Sequence, residues 1–250
     1  VNIVVDKLLI NYSLAGKGKL VLLLHGWGDR AKGLAGLQKE LEAQYQVLAL
    51  DLPGFGESEA PPAAWDLDDY ARLLAAVLQK LDLGQPYAVL GHSNGGALAI
   101  RAISMEQLQP QKLILLAAAG IRTPGARRRW LLQIVAKTGN AATIWMPERY
   151  RQRLRRTLYG TAGSDMLAVP HMQETFKKTV RQDVQRDAAS LRLPVLLIYA
   201  VNDRAVPLEY GDRYHKLIEG SRLEVIKDAG HFVHLDQPVT VAKLIKEFLT

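Results

Sequence analysis

A serine held out from a tight turn, a histidine on one loop and a carboxylate on another are the parts that nucleophilic acyl chemistry needs. Ser93 sits in Gly91-His92-Ser93-Asn94-Gly95-Gly96. The apolar run Tyr87-Ala88-Val89-Leu90 precedes it, and the helix-like stretch Ala97-Leu98-Ala99-Ile100-Arg101-Ala102-Ile103 follows. The spacing is that of G-x-S-x-G on a strand-to-helix turn. So tight a turn forces its middle residue into a strained backbone conformation, and side chains at Gly91 and Gly95 would collide with the neighbouring strand and helix. In return the hydroxyl projects over the sheet, with the positive end of the following helix beneath it. The alternative is a glycine-rich turn with an incidental serine, so the pattern asks for a base and an orienting acid elsewhere.

Both are on offer at strand ends, where open α/β sheets carry their chemistry. Asp203 lies in Ala200-Val201-Asn202-Asp203-Arg204 after the apolar run ending at Tyr199. His231 lies in Lys227-Asp228-Ala229-Gly230-His231-Phe232 after the run ending at Ile226. Each has a rival. Asp203 could simply cap a helix beginning near Pro207, and Asp212 and Asp228 are other carboxylates nearby. His234 stands three residues after His231, and His-x-x-His invites a metal. With no cysteine in the chain and no further ligand close by, one functional and one structural histidine is the simpler reading, and no metal or cofactor is expected. Gly16-Lys17-Gly18-Lys19 is too short, and lacks the downstream Ser/Thr, for a phosphate loop.

The elements that must position these groups follow a strand–helix rhythm. Residues 3–14 alternate loosely, as one or two leading strands. Leu20–Leu24, Val47–Leu50, Lys112–Leu116, Pro194–Tyr199 and Arg222–Ile226 are further strands, and most are continuously apolar, as in a parallel sheet buried on both faces. Helices are expected with Leu34, Leu37 and Leu41 on one face, from an Asp66 cap to about Leu81, and through Val241, Leu244, Ile245 and Phe248. These features give an α/β fold: a doubly wound sheet with helices on both faces. The rhythm breaks after Ala117-Ala118-Ala119-Gly120. From 121 to 193 the pattern is helical, with candidate helices over Arg127–Lys137, from Pro147 through Tyr150, Leu154 and Leu158, and over Met172–Val184 with Phe176 and Val180 facing inward. The expected organisation is a core of residues 1–120 and 194–250 with residues 121–193 inserted as a helical cap.

The net charge of +7 is concentrated in that insert, which holds 15 lysines and arginines against 5 acidic residues, leaving the remainder at 17 against 20. Arg127-Arg128-Arg129, Arg149, Arg151, Arg153, Arg155 and Arg156 either form a solvated helical face or turn one or two guanidinium groups inward toward a carboxylate-bearing substrate. No apolar run approaches the ~20 residues of a membrane span. No signal peptide is visible in Val1-Asn2-Ile3-Val4-Val5-Asp6, although the missing initiator methionine leaves room for a removed leader, and the expected location is cytoplasmic. The absence of cysteine excludes disulfides, thiolate metal sites and cysteine nucleophiles.

With H-G-W-G from His25, D-L-P-G-F-G-x-S from Asp51, G-H-S-N-G-G from Gly91, N-D-R-x-V-P from Asn202 and G-H-F-V-H from Gly230 in this order, the chain resembles the α/β-hydrolase-fold enzymes over essentially its whole length. The resemblance implies a mostly parallel eight-stranded sheet and the chain order Ser93, Asp203, His231 for nucleophile, acid and base. Some members place the acid one strand earlier, but Ala117-Ala118-Ala119-Gly120 offers none. The resemblance puts the oxyanion donors at the backbone N–H groups of Trp27 and Asn94, and its serine excludes the Asp-nucleophile branches, the epoxide hydrolases and haloalkane dehalogenases. His25 and His92 are expected to bond loop backbone, Asp51 to tie its own loop together, and the Trp27 ring to be core or to wall the acyl pocket. Asn94 departs from the family pattern, which usually has an apolar residue there; its amide either caps the helix or enters the pocket. The implied function is a serine hydrolase of carboxylic esters acting on a small-molecule, ester-like substrate, an anionic one if the insert's arginines turn inward. A C–C bond hydrolase, enol-lactonase, aminopeptidase or thioesterase shares the same triad. A ligand receptor would not need the triad, and a nucleic-acid binder would have only charge to recommend it.

Overall fold

The computed structural model describes residues 1–122 and 169–250. The strands are β1 (Asn2–Val5), β2 (Leu8–Ala15), β3 (Leu20–Leu24), β4 (Gln46–Leu50), β5 (Ala88–His92), β6 (Lys112–Leu116), β7 (Val195–Ala200) and β8 (Arg222–Ile226). They form one eight-stranded sheet in the order β1-β2-β4-β3-β5-β6-β7-β8. The β1/β2 and β2/β4 pairs are antiparallel, and every other pair is parallel. The expected mostly parallel, doubly wound sheet is therefore present.

Alternation of side chains along each strand explains why the central strands are apolar throughout. Leu22 and Leu24 of β3 face one layer, while Val21 and Leu23 face the other. The first layer is covered by α2 (Leu67–Lys80), α3 (Asn94–Ser104) and α6 (Leu208–Leu217), through residues such as Leu74, Leu98 and Tyr214. The second is covered by α1 (Ala35–Leu41), entered through a 3-10 turn at Ala31–Leu34, by the short α7 (Val233–Asp236) and by α8 (Pro238–Leu249), through Leu37, Leu41, Val233, Val241 and Ile245. The edge strand β8 is only partly buried and carries an Arg222–Glu224 ion pair.

Local chemistry sets the helix boundaries. Asp66 starts α2 with a capping box: its carboxylate accepts from the N–H groups of Asp68 and Asp69, and Asp69 Oδ2 accepts from the Asp66 N–H. Pro238 opens α8, where its missing N–H costs no hydrogen bond.

Of the candidate insert helices, those near 127–137 and 147–158 lie outside the described residues. The expected Met172–Val184 helix is corrected: the chain forms a short turn at Pro170–Met172, then α4 (Gln173–Thr179), and later α5 (Gln185–Ser190). Phe176 is buried as expected, but Val180 is 46% exposed. Tertiary polar contacts draw residues 181–184 out of the helix. Gln182 accepts from Leu67 N–H and donates to Asp68, Asp183 accepts from Arg122 N–H, and Val184 N–H bonds the Gly120 carbonyl. The returning segment is thereby fixed to the start of α2. Arg101 of α3 adds a bidentate pair to Asp68 at 2.7 and 3.0 Å and a third contact to Asp187 of α5 at 3.0 Å.

Candidate active site

Ser93 occupies the turn between β5 and α3 with φ 52° and ψ −118°, the strained conformation expected of it. Two features hold it there. A Cβ on Gly91 would run into the Gly95 backbone, and one on Gly95 into the Leu24 carbonyl, so strand and helix approach as only glycine permits. The end of β6 supplies the rest: Ser93 N–H donates to the Leu116 carbonyl at 2.9 Å, and the Ser93 carbonyl accepts from Ala119 N–H at 3.0 Å. Buried Tyr199 and Tyr214 in turn donate to the carbonyls of Ala118 and Ala119. Burial pushes both phenols up, so they stay protonated donors.

The structure brings Ser93, His231 and Asp203 into one line. His231 Nε2 lies 3.0 Å from Ser93 Oγ, and His231 Nδ1 lies 2.8 Å from Asp203 Oδ2. Asp203 does not cap α6, whose N-cap is Pro207. Its other oxygen, Oδ1, accepts from the N–H groups of Ala205 and Val206 at 2.8 and 2.9 Å, so the carboxylate is oriented before it meets the imidazole. The loops bearing Asp203 and His231 are tied to each other by Asn202 N–H on the Ala229 carbonyl, and Gly230 N–H donates to Asp236 Oδ2. The carboxylate side chain is fully buried, whereas the imidazole keeps 17% of its surface exposed.

The other candidates fall into supporting places. Trp27 follows β3 in a turn closed by Asp29 N–H on the Gly26 carbonyl. Its ring is buried between Phe55, edge-on at 4.8 Å, and Phe176 of α4 at 4.9 Å. Asn94 is the first residue of α3, where a helix geometry leaves the backbone N–H without an intrahelical acceptor. His25 donates through Nδ1 to the Gly26 carbonyl and accepts Leu52 N–H on Nε2, a loop role as expected. Asp51 ties its own loop through Glu57 N–H and Ser58, and also reaches Ala31 N–H at 2.7 Å. His234 is buried with its ring edge-on to His92, and no cluster of three or more metal-ligating side chains occurs among the described residues. The arginines at 127–129 and 149–156 lie outside the described residues.

Three further residues contribute without any local sequence signal to announce them. Asp236, the last residue of the short helix Val233–Asp236, braces the loop bearing His231 by accepting from Gly230 N–H. His171 and Met172 reach across to Gly54, placing the returning insert over the loop that follows β4. A groove of about 500 Å³ between α1 and α8, lined by Lys39, Glu40, Lys243, Lys246 and His234 among others, includes none of Ser93, Asp203 or His231.

Comparison with known proteins gives the family and the fold. A family model described as the alpha/beta hydrolase family matches residues 21–244. The 2-hydroxy-6-oxononadienedioate/2-hydroxy-6-oxononatrienedioate hydrolase of Escherichia coli K12 is 26% identical over 265 residues, covering 97% of this chain and 91% of that protein. Among solved structures, an esterase from Exiguobacterium antarcticum superposes with a TM-score of 0.78 at 22% identity, covering 99% of this chain and 98% of its own. The meta-cleavage product hydrolase of Pseudomonas fluorescens IP01 does so with a TM-score of 0.76 at 23% identity, covering 99% and 96%. At those identities the structural likenesses speak for the fold, while the family model spans nearly the whole sequence. The chain belongs to the alpha/beta hydrolase family.

Proposed function

We propose that this hydrolase cleaves carboxylic ester-type bonds through an acyl-enzyme. Ser93 is the nucleophile. His231 takes its proton and returns it to the leaving group, and Asp203 fixes the imidazole tautomer and stabilises the imidazolium. The backbone N–H groups of Trp27 and Asn94 receive the developing oxyanion, a duty suited to donors that need no reorganisation during the reaction. The observation that carries the reading is the unbroken chain from Ser93 Oγ through His231 to Asp203, at 3.0 and 2.8 Å, with the serine held at positive φ.

Residues 121–193 act as a cap under which a small molecule enters, and their 15 basic against 5 acidic side chains favour an anionic one. The same charge supports a second reading. The Escherichia coli relative is named for a dioate bearing a 6-oxo group, with no ester in it, so cleavage of a carbon–carbon bond next to a ketone is the alternative for this chain.

A panel of neutral and anionic p-nitrophenyl esters, lactones, aminoacyl anilides and a vinylogous diketone dicarboxylate separates them. The ester reading expects the highest kcat/KM on an ester and its loss in Ser93→Ala. Turnover confined to the diketone would transfer the assignment to the second reading.

A further inference from the structure

His92 precedes Ser93 in the chain and is 1% exposed. Its Nε2 lies 3.0 Å from the backbone carbonyl oxygen of His231. A carbonyl can only accept, so the ring carries its proton on Nε2 and leaves Nδ1 with a bare lone pair. That Nδ1 has no hydrogen-bond partner. It faces the loop after β3, where a Cβ on Gly26 would come within 3.1 Å of it and equally within 3.1 Å of Ser93 Cβ. The ring also stands 4.9 Å from the His231 ring and 4.9 Å from the His234 ring.

One buried imidazole therefore touches the three segments whose spacing the chemistry depends on: the turn bearing Ser93, the loop bearing Trp27 and the loop bearing His231. A leucine of similar volume would fill the space without burying a polar nitrogen that nothing satisfies. We propose that His92 is a positioning residue: its Nε2–H bond to the His231 carbonyl sets the distance from His231 Nε2 to Ser93 Oγ. The proposal rests on the serine-hydrolase reading above. Asp203 orients the imidazole plane from one side, and His92 anchors the backbone that carries it. Burial, reinforced by the neighbouring His231 and His234 rings, holds His92 well below the ordinary imidazole range, so it remains a neutral donor.

The test compares the rate of Ser93 labelling by a fluorophosphonate in wild type, His92→Leu and His92→Gln, with thermal unfolding of each. The glutamine amide can reproduce a donor near the Nε2 position; leucine cannot. His92→Leu should label more slowly by on the order of 10²-fold, the loss that follows a small misplacement of a reacting group, and His92→Gln should recover most of the rate. If leucine does not fold, His92→Asn, whose shorter amide falls short of the carbonyl, takes its place. Equal rates in leucine and wild type, or a folded glutamine variant as slow as leucine, would overturn the proposal. A wild type that does not label at all would instead sink the hydrolase reading. The bond has a readout without chemistry: the ¹⁵N spectrum should show His92 protonated at Nε2 and bare at Nδ1, and the reverse tautomer overturns it.

Discussion

Asp203 illustrates how much of the site is decided atom by atom. Its Oδ1 is occupied by two backbone donors and its Oδ2 by the imidazole, so no rotamer remains to be chosen when substrate arrives. Asp203→Asn keeps the oxygen that binds Ala205 and Val206 but loses the negative charge facing the imidazolium. Ester turnover should fall by about 10⁴-fold with the thermal midpoint little changed, because the wrong tautomer is then favoured. A fall of less than tenfold would mean that another carboxylate serves the imidazole. The remaining histidines make a different prediction. Burial holds His25, His92 and His234 below the ordinary value of 6.5. Below that pH the unfolded chain takes up protons that these native rings refuse, so stability is full above pH 6.5 and is lost as pH falls toward their native values. Each proton contributes about 1.4 kcal/mol per pH unit while the two states differ. Asp68, held down first by its hydrogen bond with Arg101, adds a loss only below the ordinary carboxylate value of 3.8. The thermal midpoint should thus decline between about pH 6.5 and pH 5, and His234→Leu should flatten that decline. A midpoint constant across this range would contradict the account.

At the level of elements, the turn bearing Ser93 depends on two close approaches and on the β6 end that braces it. Gly95→Ala places a methyl against the Leu24 carbonyl, which is sheet backbone and cannot swing away. It should cost about 1–3 kcal/mol of stability, read by urea unfolding, and slow labelling of Ser93 as well. A neutral outcome would mean that strand and helix can separate without disturbing the turn. The same elements show why so much of this molecule was readable beforehand. Continuous runs such as Leu20–Leu24 and Lys112–Leu116 have few alternatives to buried parallel strands, and Asp66 announces its helix through local capping chemistry. The loops bearing Ser93 and Asp203 could be placed because each directly follows a continuously apolar strand, whereas His231 follows the partly exposed β8 and was placed by its Gly-His sequence and its position in the chain order. Val180 was not. Its spacing from Phe176 is helical, but Gln182 and Asp183 find partners at Leu67, Asp68 and Arg122, far off in sequence, and the helix ends. The brace from Asp236 to Gly230 and the bond from His92 to the His231 carbonyl are likewise long-range or conformational facts that no periodicity encodes.

Across the whole molecule, the sheet gathers three loops at the ends of β5, β7 and β8; α4 lies at that same end, and α5 carries the chain back along α3 to the start of β7. Phe176 against Trp27, His171 and Met172 over Gly54, and Arg101 between Asp68 and Asp187 bind that return to the core at three separate places. The described part of the insert is therefore anchored beside the candidate oxyanion loop. No helix among the described residues is long and apolar enough to cross a membrane. The central claim is that this architecture makes one hydroxyl in the chain reactive. Incubation of the folded protein with a fluorophosphonate, followed by peptide mass spectrometry, tests it most directly. The account predicts one adduct per chain, on Ser93, abolished by prior unfolding and by His231→Ala. An unmodified Ser93 in the folded protein, or an adduct on a different serine, would contradict it.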